Sequence, residues 1–292
     1  MHSSELKGGT GQYQMGSIEF TALIFVGSLL AGFLGALTGL GGGVVVVPLL
    51  ALVFHVDIHY AIGAALVSVI ATSSGAAAAY VREGYSNIRV GMFLEMATTM
   101  GALAGAALVL YLRASVIAVI FGFVLIYSAL ASFHEGTPLK QDLGPDRIAT
   151  WLGMDSTYPT SAGFESYHVR GVPMGFLLML VAGVLSGLLG IGSGAVKVLA
   201  MDKAMKLPFK VSTTTSNFMI GVTAAAGAGI YLSRGYIDPG LAMPVMLGVL
   251  AGALIGARVL AGAKVRVLRL VFALLIGSLA IEMIYGGLTG RI

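Results

Sequence analysis

The chain has no cysteine among its 292 residues. That excludes disulfides, thiol nucleophiles, thiolate metal sites and iron–sulfur clusters together. Charge is also scarce. Asp, Glu, Lys and Arg make up 10% of the residues, against roughly 25% in an ordinary soluble domain. So few charged side chains could not cover a soluble surface. The net charge of +4 is small and lies mostly in loops, so it bears on membrane orientation and not on nucleic acid. Within the apolar stretches there are no paired carboxylates and no His–Asp set, which leaves little to build an enzyme from. His55 and His59 share a short loop with Asp57 and read as solvated loop residues, so neither metal nor cofactor is expected.

What is abundant is apolar. Hydrophobic residues make up 57% of the chain, and mean hydropathy is +0.94. Several segments run about 18 to 22 residues almost without charge, long enough to cross a bilayer as helices. The runs are continuous and do not alternate, which argues against a β-barrel. The 42 glycines suit helices that pack closely in lipid.

The sequence also repeats. Shifted by 151 positions, Gly32, Gly39, Gly41 and Gly43 fall on Gly183, Gly190, Gly192 and Gly194. Tyr80, Gly84 and Tyr85 fall on Tyr231, Gly235 and Tyr236, and Gly101-Ala102-Leu103 falls on Gly252-Ala253-Leu254. The expected layout is a polar tail over 1–17, a membrane repeat over 18–133, a soluble linker or cap over 134–171, and a second repeat over 172–288. Helices are predicted over 18–38, 44–54, 61–81, 90–112 and 115–133. In the second copy they fall over 172–189, 195–205, 212–232, 241–262 and 266–285. Basic loops alternate out of phase between the copies: Arg82 and Arg89 in the second loop of copy one, then Lys203, Lys206 and Lys210 in the first loop of copy two. Short cytoplasmic loops are rich in Lys and Arg, so this pattern fits copies inverted across the membrane. Inversion needs an odd number of crossings, which three full spans and one broken, re-entrant hairpin per copy would give. Four crossings per copy and parallel repeats is the alternative. The expected fold class is therefore an all-α polytopic membrane protein with two homologous repeats, each built on a Gly-broken hairpin plus about three spans.

Gly39-Leu40-Gly41-Gly42-Gly43 and Gly190-Ile191-Gly192-Ser193-Gly194 should each break a helix, since Gly costs about 1 kcal/mol against Ala in a helix interior. A break in lipid is tolerated only where protein or a water-filled cavity receives the freed backbone groups. A helix restarting at Val44 or Ala195 would aim N–H donors and partial positive charge at the break. Gly41, Gly42, Gly43, Gly192, Ser193 and Gly194 are thus candidates for an anion site made largely of backbone. The plainer reading is that these glycines only permit close helix crossing.

With these motifs, Ala-Ile-Gly-Ala-Ala-Leu at 61–66 and Thr-Thr-Thr-Ser-Asn-Phe at 213–218, the chain resembles the TauE/SafE group of membrane proteins over roughly residues 18–285. The resemblance implies a transporter of small sulfur-containing anions such as sulfite or sulfonates. It also directs attention to Thr215, Ser216 and Asn217, which stand at the family's Thr-Ser positions. Copy one departs with Ala64-Ala65, and copy two with Ser193 where Gly is usual, so the site should be asymmetric.

Two ionisable residues stand inside apolar runs. Lys197 follows the second glycine cluster, where copy one has Val46. Such a residue costs about 2.5 to 3.5 kcal/mol on insertion scales and is a functional candidate by default. Its alternatives are snorkelling or pairing with Asp202 or Glu95. Glu95 is a candidate proton-coupling carboxylate, or a partner for Arg89 or Lys197. The leading expectation is an exporter of a small oxyanion working by alternating access in the cell membrane. An anion channel and a membrane-embedded enzyme are the rivals. The expected partners are the anion and the bilayer, with a homodimer left open.

Overall fold

Long apolar runs fold as helices because a helix satisfies its backbone hydrogen bonds within the segment, which lipid demands. The computed structural model describes residues 17–38, 42–82, 85–132, 146–160, 163–260 and 265–291. In the first half, α1 (Ser17–Thr38) is followed by α2 (Gly43–Pro48), which passes directly into a π-helical turn over Leu49–Val53. Next come α3 (Ile58–Arg82), α4 (Ile88–Val109) and α5 (Ala114–Ser132). Between the halves lie α6 (Arg147–Trp151), β1 (Ser156–Thr160) and β2 (Gly163–Tyr167). The second half holds α7 (Val172–Leu189), α8 (Gly194–Leu199) with a π turn over Ala200–Ala204, α9 (Phe209–Ser233), α10 (Pro239–Leu260) and α11 (Val265–Thr289). Among the described residues, four stretches are long and apolar enough to cross a membrane: Ile18–Gly35, Ile88–Val109, Val172–Leu189 and Pro239–Gly256. The fold is that of an all-helical membrane protein.

The π turns fall at matching positions, with Phe54 N–H bonded to Leu49 O at 3.3 Å and Met205 N–H to Ala200 O at 3.1 Å. Pro48 precedes the first, but its counterpart Leu199 has an N–H. Proline is therefore not their common cause.

Close contacts fix the direction of each helix. A methyl group at Gly183 would collide with Thr98 O, and one at Gly187 with Ala102 O. Both numbers rise by four, so α4 and α7 run the same way. By the same test α1 and α10 are parallel, since Gly248 abuts Phe25 O and Gly252 abuts Leu29 O. The pairs α3–α9 (Leu66 with Gly227, Ser73 with Gly221) and α5–α11 (Ser115 with Gly287, Gly122 with Ala280) are antiparallel. In the two parallel seams the glycines stand at four-residue spacing, which lets backbones touch where lipid supplies no hydrophobic drive.

After α1 the chain turns back. Gly42 lies against Gly32, Gly27 against Leu49, and the Phe20 and Phe54 rings are 6.0 Å apart. The second half does the same: Gly175 abuts Met205, and Arg170 N–H bonds to Met205 O at 3.0 Å. Taken with the helix directions, α1, α3 and α5 start from one face of the bundle and α7, α9 and α11 from the other. We call the face where α1 starts the near face. The near-face loop puts Tyr236 against His59, ring centroids 5.0 Å apart. The far-face loop puts Tyr85 under Lys210 Nζ at 3.6 Å.

Residues 146–160 and 163–171 belong to a small cap on the far face. Asp146 caps α6 through Ile148 N–H at 3.1 Å and also accepts from Gly171 N–H at 3.0 Å. The strands pair antiparallel, Ser156 opposite Tyr167 and Thr160 opposite Gly163. Asn87 holds the cap to the bundle. Its amide nitrogen donates to Met154 O and to Tyr167 Oη, both at 2.8 Å, and its Oδ1 accepts from Val90 N–H at 3.1 Å. Burial raises the Tyr167 phenol above its ordinary range, opposed by its bond with Asn87.

Candidate functional site

Gly43, at the end of the first glycine cluster, meets the second cluster. A methyl group at Gly43 would stand 2.9 Å from Gly190 O and 3.5 Å from Ile191 Cα. Gly192 lies between Val69 and Ile220. Each is the twelfth of the 25 residues of its helix, α3 and α9, so the clusters lie halfway through the bundle. Left-handed backbone makes the second break: Gly190, Ser193 and Gly192 have φ of +68°, +46° and +70°. The first break is only partly described. Gly42 is right-handed, and Gly41 lies outside the described residues. Gly42, Gly43, Gly192, Ser193 and Gly194 are all buried.

Lys197 sits one turn beyond Ser193 and is 0% exposed. It does not snorkel, and Asp202 pairs instead with Lys203 at 3.5 Å. Helical side chains lean toward the helix N-terminus, which carries this one back toward the break. Its Nζ donates to Thr223 Oγ1 at 2.5 Å. Thr223 Oγ1 in turn donates to Glu95 Oε1 at 2.7 Å and stands 3.3 Å from Thr98 Oγ1. Thr99 Oγ1 donates to the same Glu95 oxygen at 3.2 Å. A buried acid and a buried base are thus joined through one hydroxyl. Thr223 is the fifteenth of 25 residues in α9 and Thr98 the eleventh of 22 in α4, so this cluster too is at mid-depth. Two side-chain oxygens here are buried without a hydrogen-bond partner among the described residues: Glu95 Oε2 and Ser193 Oγ. A buried polar atom left unpaired costs about 1–3 kcal/mol, so each is open to a water or a bound solute.

Arg89 is not the partner of Glu95; it donates to Gly153 O in the cap at 2.9 Å. Thr215 Oγ1 accepts from Asn87 N–H at 3.0 Å, which places it under the cap rather than beside Lys197. Ser216 Oγ reaches Gly194 O at 3.4 Å and ties α9 to the second break. Asn217 is half-buried. Thr223 and Thr98 were not among the residues singled out from the sequence. The usable signal was positional: Thr223 is the 151-residue counterpart of Thr72, inside a span and four residues after Met219.

A protein-family model described as sulfite exporter TauE/SafE matches residues 24–283. The chain belongs to this family. Among curated relatives, the TauE/SafE chain is 27% identical over 278 residues to probable membrane transporter protein YunE of Bacillus subtilis (strain 168), covering 93% of this chain and 99% of the relative. It is 29% identical over 237 residues to probable membrane transporter protein YdhB of the same organism, covering 81% and 87%. A third, probable membrane transporter protein ORF9 of Sinorhizobium sp, is 23% identical over 270 residues, covering 92% and 94%. No solved structure matches the chain. This TauE/SafE protein is a multi-pass membrane transporter of the cell membrane.

Proposed function

We propose that the protein exports a small sulfur-containing oxyanion, sulfite or a sulfonate, by alternating access around two glycine-broken hairpins. The observation that carries this is Lys197: a basic side chain with no exposure, at mid-depth, hydrogen-bonded to Thr223 beside the second break. A full positive charge and neutral hydroxyls in a low-dielectric site attract an oxyanion strongly. The family description adds the sulfur-containing class.

The helix directions support an inverted repeat. Starts on opposite faces, folded-back hairpins, and exchanged partners (α1 with α10, α7 with α4) all follow from one two-fold axis lying in the membrane. In that frame Arg89, Lys203, Lys206 and Lys210 fall on the far face, and Arg113, Arg234 and Arg291 on the near face. The excess of basic residues makes the far face, with its cap, cytoplasmic. An inside-negative potential of 100 mV then favours efflux of a monovalent anion by about 2.3 kcal/mol. Glu95 is the proton-coupling carboxylate in this reading. The buried meeting of the two breaks favours a carrier over an open channel.

The test is flux of labelled sulfite and sulfoacetate in proteoliposomes. Wild-type protein should move at least one of them, and Lys197→Met should abolish that flux without lowering protein yield. Equal flux in the variant would refute the site.

A further inference from the structure

We infer that Glu95 is a tethered stand-in for the transported anion: its carboxylate occupies the oxyanion site in this conformation, and substrate enters by displacing it. This rests on the reading of the protein as an anion transporter and adds how its site is kept filled.

The donors around Glu95 are those an oxyanion needs. Oε1 accepts from Thr223 at 2.7 Å and from Thr99 at 3.2 Å. Lys197, bonded to the same Thr223, supplies the charge. Yet the fit is incomplete. Oε2 is buried with no partner among the described residues, so the carboxylate meets the site with one oxygen only. Lys197 can donate three hydrogen bonds, and among the described residues it makes one, to Thr223. The Ser193 hydroxyl, one turn from Lys197 and 2% exposed, has no partner among the described residues. Donor capacity on Lys197 that the carboxylate leaves unused, with the Ser193 hydroxyl one helical turn away, suits an anion with more oxygens than a carboxylate. A sulfite or sulfonate group presents three.

The arrangement also has a physical use. A buried Lys197 with no counter-charge would be costly in the substrate-free carrier. Glu95 removes that cost while the site waits and leaves when a better-matched anion arrives. The carboxylate and the substrate therefore compete for Thr223 and Lys197, and substrate affinity is lowered by the strength of the internal pair.

Glu95→Gln keeps the shape and removes the competing charge. Binding of sulfite, sulfoacetate and inorganic sulfate would be measured on purified protein in lipid nanodiscs. At least one should bind tenfold or more tightly to Glu95→Gln than to wild type, and adding Lys197→Met should erase the gain. Tight binding should also slow net efflux while leaving anion exchange in place, but loss of proton coupling alone gives the same split, so it is the Lys197-dependent gain in affinity that identifies the stand-in role. Glu95→Asp, which withdraws the carboxylate by one methylene, should give an intermediate affinity; it supplies a second measurement if the Gln variant folds poorly. Wild-type flux with equal or weaker binding in both variants overturns the stand-in role alone. No binding and no flux of any of these anions in wild type overturns the anion reading, and the stand-in role with it.

Discussion

Replacing Thr223 by valine keeps the side-chain shape and deletes one hydroxyl. In the folded protein that hydroxyl accepts from Lys197 and donates to Glu95. Hydrogen bonds to charged groups contribute about 1.5–3 kcal/mol each, so losing both sets a ceiling of about 3–6 kcal/mol. The flexible Lys197 chain can swing toward Glu95 and recover part of this. We expect a net loss of about 2–4 kcal/mol, among the larger effects of a single substitution. The repeat provides its own control. Among the described residues Thr72, the counterpart of Thr223, bonds only to carbonyls of its own helix, Ser68 O at 3.0 Å and Val69 O at 3.2 Å. Back-bonding of that kind slightly destabilises a helix, so Thr72→Val should change stability by no more than about 0.5 kcal/mol. The assay is the unfolding midpoint of each variant in the same detergent micelle. Equal losses at the two positions would show that the Lys197–Thr223–Glu95 chain does not exist in the folded protein.

Other outcomes follow from the packing. Gly105→Val should abolish accumulation of folded protein, because its Cβ would collide with Val184 O and force α4 and α7 apart. Gly277→Ala, where nothing lies within 4 Å of the added methyl, should be neutral or stabilising by up to about 1 kcal/mol; comparing detergent-stable yields checks both. Asn87→Ala removes the side-chain bonds to Met154 and Tyr167 and should speed protease cleavage within residues 146–170 several-fold while the spans stay intact. Because the chain has no cysteine, single cysteines report sidedness directly. Trp151→Cys, at a position 84% exposed in the cap, should react with an impermeant maleimide only from the cytoplasmic side. Arg234→Cys should react only from outside.

Much of the fold was legible because lipid restricts the choices. A run of apolar residues at membrane depth can only be a helix, and the glycine clusters marked where helices had to stop. The expectation of 172–189 coincides with α7, and the other spans start or end within a few residues of their elements. Lys197 stood out for the same reason, as a charge with no water in reach. Thr223 did not, because a mid-span threonine usually bonds back to its own helix. Thr223 Oγ1 does lie 2.9 Å from Met219 O. Its link to Glu95 depends on α9 packing against α4, and no local pattern encodes a contact between residues 128 positions apart. The cap strands were hidden differently. Gly163–Phe164–Glu165–Ser166 are all exposed, so they show no alternation of buried and exposed positions from which to read a strand.

The most direct measurement of the alternating-access claim is the reactivity of one buried cysteine from the two sides of the membrane. Ser193→Cys places a thiol at the second break, where the native side chain is 2% exposed. A membrane-impermeant methanethiosulfonate reagent should modify it when applied from either side of sealed, transporting vesicles, and a bound oxyanion should slow both reactions. Modification from one side only, in vesicles that still carry anion flux, would contradict the account.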